Sequence, residues 1–383
     1  MGPLAGLKVI EFVGLGPAPF CGMLLADMGA EVLLIDRKRA PERPGVEQFS
    51  PGPASVARRG KRSVMLDLRA PEAVQTALRL IAGADLLIEG FRPGVMERLG
   101  LGPDVCLGAN PKLLYGRMTG WGQTGPLAHS AGHDVNYTAL SAILHCGARA
   151  DGVPWAPPSL LGDMAGGMML AFGLACALNE VRSSGKGQVI DAAMIDAASL
   201  FLHGVYGAFA AGYWDLKPGT NLLDSGAPFY DVYRCADNKW ISLGPLEPAF
   251  YSLMLEKLGL AGDPLFEDQF DKRRWPERKE RIAEIIRTKT REEWCRLLEG
   301  TDVCFAPVLD LAEAPQHPHQ QAREGFIRLN GVTQPAPAPR FSRTSAAVRS
   351  PPSMPGEGAD EALRDWGFTD SEVAGLRATG ALG

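Results

Sequence analysis

The chain has 383 residues, of which 46% are hydrophobic and 22% are charged, and its formal net charge at pH 7 is −5. This length predicts two domains, and the composition is that of an ordinary globular protein. Because the net charge is small and negative, neither nucleic acid nor an anionic membrane is predicted as a partner.

The cysteines and histidines predict neither a disulfide framework nor a metal site. The seven cysteines lie far apart, and the six histidines lack a zinc-binding spacing. Scattered thiols with apolar neighbours are typical of a reducing compartment, and the N-terminus lacks the charged and apolar regions of a secretory signal. The apolar run LLGDMAGGMMLAFGLACALNE contains an aspartate and four glycines, so we interpret it as a buried helix. We therefore expect a cytoplasmic protein.

The first part of the chain alternates apolar strands with helices. LKVIEFV (7–13) and AEVLLIDR (30–37) predict strands on either side of a helix, FCGMLLADMG. Further strand patterns at VMLDL and DLLIEGF continue the alternation, which extends to about residue 192. This order predicts an α/β fold with a Rossmann-like large domain built on a parallel sheet.

The pattern changes after residue 190, where turns and aromatic residues become frequent. We predict a large domain over 1–190, a linker over 191–223 and a smaller α+β domain over 224–312. A second linker over 313–333 then leads into 334–383, a Pro-rich stretch that returns to the large domain and ends in C-terminal helices.

The turn after the first predicted strand contains part of a dinucleotide-binding fingerprint. Gly14 and Gly16 have the required positions, and Asp36 ends the second strand where a ribose-binding acid would lie. Pro19 replaces the third glycine, and Pro17 and Pro19 remove two backbone N–H donors from the loop. A tight turn is therefore favoured over an NAD site, which stays open as an alternative.

Basic residues are concentrated at the predicted strand ends and in the loops beside them. Ligands of open α/β sheets bind at the carboxyl ends of the strands, and arginine is well suited to phosphate. Arg37 and Arg92 each follow a buried strand directly, so they are the first candidates. The further candidates, for which a solvated surface is the alternative, are Arg58, Arg59, Lys61 and Arg62.

Three polar residues are candidates for acid–base chemistry, although each also has a structural interpretation. His133 begins the segment HDVNYTAL, in which Asp134 and Asn136 could cap a helix. Asp163 could cap the apolar helix that follows it, and Glu247 could be a first-turn acid. The residue types alone leave both interpretations open.

Several blocks of the sequence resemble one known family. In chain order they are GLGPAPFCGMLLADMGAEVLLIDR, RGKRSVMLDL, EGFRPGVMERLGLGP, GHDVNY, GKGQVIDAAM, GAPFYDVYR, EPAFY and EGTDVCFAPV. In order and spacing they are similar to the α-methylacyl-CoA racemases of the family III CoA-transferase superfamily, from residue 4 to about 312. The resemblance implies a CoA-binding domain over 1–190 and an interlocked homodimer with its active site shared between subunits.

The resemblance also implies a function, an isomerase of lipid metabolism. It would interconvert (2R)- and (2S)-2-methylacyl-CoA by cofactor-independent 1,1-proton transfer, with CoA as part of the substrate. The implied acid–base pair is His133 and Asp163, with Glu247 orienting the histidine, and Arg37 and Arg92 would contact the CoA phosphates. The other residues implied in the CoA site are Met65, Leu66, Asp67, Leu68, Gly132, Asp134, Asn136 and Tyr137.

The reaction explains why these residue types are needed. Inversion at a carbon requires one acid–base group on each face, and histidine titrates near neutral pH. An aspartate is a poor base at its usual pKa near 3.9, so partial burial of Asp163 should raise its pKa. Backbone N–H groups at the start of the helix after His133 could stabilise the enolate oxygen.

Two rival functions share the predicted fold. In CoA-transferases of the superfamily the aspartate at position 163 would be a covalent nucleophile. Those enzymes lack the paired histidine and usually carry a glycine-rich loop, whereas LGPLEPAFY contains a single glycine. A CoA-binding protein without chemistry is the other rival. The GHD block favours the racemase.

Overall fold

The computed structural model describes residues 2–38 and 52–383. The chain divides into two compact units. Unit 1 comprises Met1–Ser141, Pro157–Leu200 and Glu324–Gly383, and unit 2 comprises Ala142–Ala156 and Phe201–Arg323.

The strands of the described residues are β1 (Lys8–Phe12), β2 (Glu31–Arg37), β3 (Lys61–Leu66), β4 (Leu86–Glu89), β5 (Leu114–Thr119), β6 (Gln188–Ala193), β7 (Asp231–Arg234), β8 (Trp240–Leu243), β9 (Phe305–Val308), β10 (Phe326–Leu329) and β11 (Val332–Pro335).

The α-helices of the same residues are α1 (Pro17–Asp27), α2 (Pro71–Ala82), α3 (Val95–Arg98), α4 (Pro103–Ala109), α5 (Asp134–Leu140), α6 (Ile143–Cys146), α7 (Ala165–Ser184), α8 (Met194–Phe201), α9 (His203–Ala210), α10 (Pro248–Leu258), α11 (Trp275–Ile286), α12 (Arg291–Leu298), α13 (Pro318–Ala322), α14 (Ala359–Asp365) and α15 (Asp370–Ala378).

Unit 1 is built on a parallel sheet, here called the large sheet. Within the described residues its strand order is β3-β2-β1-β4-β5-β6, and every neighbouring pair is parallel. The order reverses between β1 and β4, which creates a crevice at the carboxyl ends of these strands. The predicted α/β fold with a parallel sheet is confirmed.

Alternating side chains of the large sheet enter two cores on its opposite faces. Val9 of β1 packs into the core that includes residues of α1 and α7. The next residue, Ile10, packs into the core that includes residues of α2, α14 and α15. Since successive side chains of a strand point to opposite faces, a run such as VLLI in β2, without polar alternation, is expected for a sheet covered on both sides.

Unit 2 contains a small antiparallel sheet of order β7-β8-β9 and a core of its own. Its buried centre includes Trp294 of α12 and Trp275 of α11. Phe229 contacts the ring of Trp275 edge to face, at a centroid distance of 6.0 Å. This α+β composition is that predicted for the smaller domain.

The two units differ from the predicted domain limits in two respects, the first being that the predicted linkers 191–223 and 313–333 are each divided between the units. Residues 142–156 belong to unit 2, whereas the sequence analysis assigned them to the large domain. Arg149 of this segment forms an ion pair with Asp231 at 2.6 Å. A Cβ added to Gly219 would lie 2.3 Å from the backbone nitrogen of Ala150, so the two backbones are in close contact. Such pairings between distant segments leave no local pattern in the sequence.

One described helical stretch, Leu160–Ser184, is long and apolar enough to cross a membrane, judged on length and composition alone. Leu170 and Leu174 of this stretch lie in the core beside α1. Its exposed apolar side chains include Met168 and Phe172. The predicted helix over the apolar run is confirmed, and its burial is confined to one side.

Candidate active site

A cavity of about 710 Å³ opens at the carboxyl edge of the large sheet. Phe12 and Val13 at the end of β1 line it, together with the end of β2 and Phe91 after β4. It therefore lies at the reversal of strand order, the usual ligand position in open α/β sheets. Its volume is within the range of small-molecule sites.

Arg37 lines this cavity at the end of β2, and its side chain is exposed. Its guanidinium carbon lies 5.6 Å from the centroid of the Phe91 ring. The loop that carries Phe91 is held by Glu89, because the buried Glu89 carboxylate accepts the Phe91 N–H at 2.7 Å and the Arg117 Nε–H at 2.9 Å. Arg92 follows in the same loop and is exposed, so both preferred arginines lie at the edge that an anionic ligand would reach.

Three of the four residues predicted along the adenosine also line the cavity: Leu66, Asp67 and Leu68. Asp67 pairs with Arg69 at 2.8 Å, and the hydrogen bonds from Arg69 lower the pKa of Asp67 to about 2. Met65 is a correction. Its side chain lies against the C-terminal segment, since a Cβ on Gly356 would come within 2.8 Å of the Met65 methyl group.

The structure pairs each of the remaining basic candidates with a carboxylate. The pairs are Arg58 with Asp36 at 2.6 Å, Arg59 with Asp27 at 2.6 Å, Lys61 with Glu11 at 2.6 Å, and Arg62 with Glu31. The Lys61 and Glu11 side chains are fully buried. A buried, compensated cation such as Lys61 or Arg59 stabilises packing and is not available to a phosphate in solution, whereas the phosphate roles of Arg58 and Arg62 stay predictions.

The same pairing bears on the NAD alternative. Asp36 is buried, its two carboxylate oxygens accept hydrogen bonds from Arg58, and one of them also accepts from Ser63. The acid that would bind a ribose is therefore already engaged. Gly16 and Pro17 form a tight turn into α1, with φ +65° at Gly16, as the favoured interpretation predicts.

His133 immediately precedes α5 and is exposed. Its backbone is extended, with φ −133° and ψ 174°, and its N–H donates to Asn136 Oδ1 at 3.0 Å. Of the two residues predicted to cap this helix, Asn136 therefore does so. The imidazole is left at the surface of unit 1, at the start of the helix.

Asp163 lies in a π-helical turn, Leu160–Met164, directly before α7. The carboxylate is close to the turn after β1, since a Cβ on Gly16 would come within 2.9 Å of Asp163 Oδ2. Burial and, to a smaller extent, the nearby negative charge of Asp134 raise the pKa of Asp163 to about 6 against the opposing effect of His133. Single π turns are frequent at functional sites, and this pKa is suitable for proton transfer near neutral pH.

Asp134 connects the two acid–base candidates. Its side chain is buried, and Oδ2 accepts the N–H groups of Gly162 at 2.7 Å and Asp163 at 2.9 Å. The sequence analysis placed Asp134 against CoA or at a helix cap. The structure instead joins it to the turn that carries Asp163.

Gly132 and Tyr137, also predicted to contact CoA, are packed against a neighbouring loop. Tyr137 meets Trp121 edge to face at a centroid distance of 4.7 Å, and a Cβ on Gly132 would lie 2.9 Å from the Tyr137 ring. Burial raises the pKa of Tyr137 to about 12. These contacts fix the start of α5, and the predicted contacts of Gly132 and Tyr137 with CoA stay predictions.

Glu247 occupies the N-cap position of α10 in unit 2 without a side-chain capping hydrogen bond and is exposed, whereas His133 and Asp163 belong to unit 1. Its predicted contact with the histidine stays a prediction. Among the residues that the structure describes, no group of three or more His, Cys, Asp or Glu side chains could hold a metal ion.

A second cavity, of about 530 Å³, begins beside Asp163 within unit 1. Gly16, Phe20, Met23 and Met164 line it, and apolar side chains form most of its wall. The charged groups that line it, Glu11, Asp27, Arg58 and Arg59, are members of the ion pairs described above. This cavity was not predicted, because its walls come from segments far apart in the chain.

Comparison with known proteins gives concordant results. The family model described as CoA-transferase family III matches residues 4–361. Alpha-methylacyl-CoA racemase from Mus musculus is 42% identical over 98% of this chain and 96% of its own length, and the Homo sapiens protein is 41% identical over the same shares. The crystal structure of a CAIB/BAIF family protein from Brucella suis is 26% identical, covers 95% of this chain and 99% of its own, and has a TM-score of 0.80. The chain therefore belongs to CoA-transferase family III.

Proposed function

We propose that this protein is an isomerase that interconverts (2R)- and (2S)-2-methylacyl-CoA thioesters by exchange of the α-proton. The observation that carries the proposal is Asp163, whose pKa is raised to about 6 beside His133. The identity of 42% to a racemase over nearly the full chain supports the same reaction. Inversion at one carbon requires a second acid–base group on the opposite face, and His133 is the candidate for it.

The proposed reaction has two proton transfers. In one direction the Asp163 carboxylate removes the proton from C2, and the electrons of that C–H bond pass to the thioester carbonyl as an enolate. The protonated imidazole of His133 then donates its proton to the opposite face of C2. In the other direction the roles exchange, so the reaction consumes no cofactor and CoA takes part only as the carrier of the acyl group.

The positions of the two cavities support the substrate assignment. Arg37 and Arg92 would bind the CoA phosphates at the carboxyl edge, with Leu66, Asp67 and Leu68 along the adenosine. The apolar cavity beside Asp163 gives the acyl chain a place next to the reacting carbon. The first N–H groups of a helix lack partners within it, so those of α5 are suited to the enolate oxygen.

A homodimer with a shared active site is part of the proposal. Both units expose large apolar side chains: Met168 and Phe172 in unit 1, and Tyr206, Phe209 and Tyr213 in unit 2. Exposed apolar surface of this extent is typical of interfaces. In such a dimer Glu247 would orient His133 from the partner. Sedimentation should give twice the chain mass of 41.0 kDa.

We also propose a cytoplasmic location and a role in lipid metabolism. All seven cysteines are free thiols, and Cys21, Cys106 and Cys235 among them are buried. Free thiols of this number are typical of a reducing compartment, which supports the location.

Two separate variants test the acid–base pair. His133→Ala and Asp163→Asn should each lose nearly all racemisation, while binding of CoA itself changes less than threefold. The rival transferase predicts a different result, in which hydroxylamine traps an acylated Asp163 and His133→Ala retains acyl-CoA exchange. A variant pair with full racemisation would exclude these residues as the bases.

A further inference from the structure

Asp134 makes an unusual connection for a residue at the start of a helix. Its side chain is only 3% exposed and does not cap its own helix. Oδ2 reaches a segment 28 and 29 positions later and accepts both the Gly162 N–H and the Asp163 N–H. One carboxylate oxygen thus joins the helix start that carries His133 to the turn that carries Asp163.

The fit between Asp134 and this turn is tight. A Cβ on Gly162 would lie 3.0 Å from Asp134 Oδ2, so a side chain at position 162 would displace the carboxylate. Ser159, which begins the turn, has φ +46°, a conformation that costs free energy for a residue other than glycine. A π turn with such a start needs contacts from outside to persist, and the two hydrogen bonds to Asp134 supply them.

The start of α5, which carries Asp134, is also fixed by side-chain hydrogen bonds. Thr138 Oγ1 donates to the Asp134 carbonyl at 2.8 Å, and Asn136 Oδ1 accepts the His133 N–H at 3.0 Å. Thr138 is itself fully buried. The start of α5 is therefore fixed by its own side chains, which makes Asp134 a rigid attachment point for the turn.

The carboxylate has one further property. Asp134 Oδ1 is buried and has no hydrogen-bond partner among the described residues. Because that oxygen is uncompensated, the charge of Asp134 acts on its surroundings with little screening. The titratable groups that it affects include Asp163 and Tyr137.

We propose that Asp134 is a positioning residue for the acid–base pair, holding the turn of Asp163 at a fixed place relative to the helix start of His133. The proposal rests on the proposed function for its activity readout. The charge of Asp134 has a second effect, since it raises the pKa of Asp163 in addition to burial.

The other groups around Asp163 do not supply this charge. The turn packs against α1, α5 and α7. Neither α1 nor α7 has an acidic residue in its first turn. From α5, His133 acts in the opposite sense and Asp163 raises the pKa of Tyr137. Removal of Asp134's charge should therefore lower the pKa of Asp163.

Two substitutions in the full chain separate geometry from charge. Asp134→Asn keeps an oxygen that can accept both N–H groups and removes the charge. We expect kcat/KM, measured by α-proton exchange, to retain its plateau within about tenfold and its acid limb to move to lower pH in one reaction direction. Asp134→Ala also removes the acceptor, and we expect kcat to fall roughly 10- to 100-fold with an unchanged Kd for CoA, the cost of a misplaced catalytic group.

A second measurement does not depend on activity. Hydrogen exchange of peptides covering 157–166 should be faster in Asp134→Ala and close to wild type in Asp134→Asn. The control is Asp85→Ala, which removes a carboxylate that accepts the Lys8 N–H at 2.8 Å at the opposite edge of the sheet. It should leave both the pH profile and the exchange of 157–166 unchanged.

The outcomes are distinguishable. Unaltered exchange of 157–166 in Asp134→Ala would overturn the positioning role, and a wild-type pH profile in Asp134→Asn would overturn the effect of its charge on Asp163. Absence of α-proton exchange in the wild-type protein would instead reject the proposed function, and hydrogen exchange would then decide the positioning role by itself. If Asp134→Ala does not fold, Gly162→Ala tests the same contact, because its Cβ would lie 3.0 Å from Asp134 Oδ2, and unaltered exchange of 157–166 in that variant would overturn the positioning role.

Discussion

Gly16 lies directly against the carboxylate of Asp163, so closely that a Cβ at position 16 would come within 2.9 Å of Oδ2. Its φ of +65° is in the left-handed region that favours glycine. The turn after β1 thus borders the acid–base site, although its glycines first suggested a dinucleotide fingerprint. Position 16 therefore favours glycine for two reasons: a side chain would meet the Asp163 carboxylate, and the backbone has a positive φ.

Substitution Gly16→Ala should separate these two needs when it is compared with a matched glycine. We expect kcat to fall at least tenfold because the methyl group displaces the Asp163 carboxylate. The backbone conformation should cost about 1–2 kcal/mol of unfolding free energy. Gly185→Ala, at φ +69° with nothing within 4 Å of the added Cβ, should show the stability cost and keep kcat. Equal kcat values for both variants would contradict the contact.

The pH dependence of the reaction should report Asp163. Since burial raises its pKa to about 6, the carboxylate is protonated below that pH and cannot accept a proton. In the direction in which Asp163 is the base, kcat/KM should fall about tenfold per pH unit below about pH 6. Initial rates with each enantiomer from pH 4.5 to 8 test this. An acid limb near pH 4 in both directions would mean that Asp163 is not desolvated in solution.

Arg37 should affect binding more than chemistry. Its guanidinium lines the cavity at the end of β2, away from the π turn of Asp163. Arg37→Met should raise KM for the thioester roughly 10- to 100-fold, the usual cost of losing a hydrogen bond to a charged group, with kcat little changed. Arg182→Met, in the last turn of α7, is the control. A loss confined to kcat would argue against a phosphate contact.

Lys61 should act through stability and not through CoA. Lys61→Met leaves the Glu11 carboxylate buried without its partner, which should cost about 3–5 kcal/mol of unfolding free energy. The double variant Glu11→Leu with Lys61→Met should recover most of that loss, because both charges are gone. Urea unfolding measures both. A raised KM for the CoA thioester in the well-folded double variant would instead indicate that Lys61 binds a phosphate.

The parallel sheet could be predicted from the sequence, because the hydrophobic periods that distinguish strands from helices are local patterns. The run VLLI within β2 has the continuous apolar character of a strand buried on both faces, and in β1 the apolar run is interrupted by Glu11. Arg37 at a strand end could be assigned by the same logic, since the carboxyl edge follows from the fold class.

The partners of charged residues could not be predicted in this way. Arg59 reaches Asp27 and Gln334, and Asp134 reaches Asp163, across separations that leave no periodic pattern. A run of basic residues therefore suggested a phosphate site, although in the fold each of these residues is paired with a carboxylate from another segment. Likewise, Met65 and Leu66 are neighbours in one strand, yet alternation directs only Leu66 to the cavity.

The most direct test of the proposed racemase is to incubate the wild-type protein with (2R)-2-methylacyl-CoA in heavy water and to follow C2 by NMR and chiral analysis. We predict incorporation of deuterium at C2 together with formation of the (2S) thioester until both enantiomers are present. Absence of deuterium at C2 and of (2S) product, with the protein folded and CoA bound, would contradict the account.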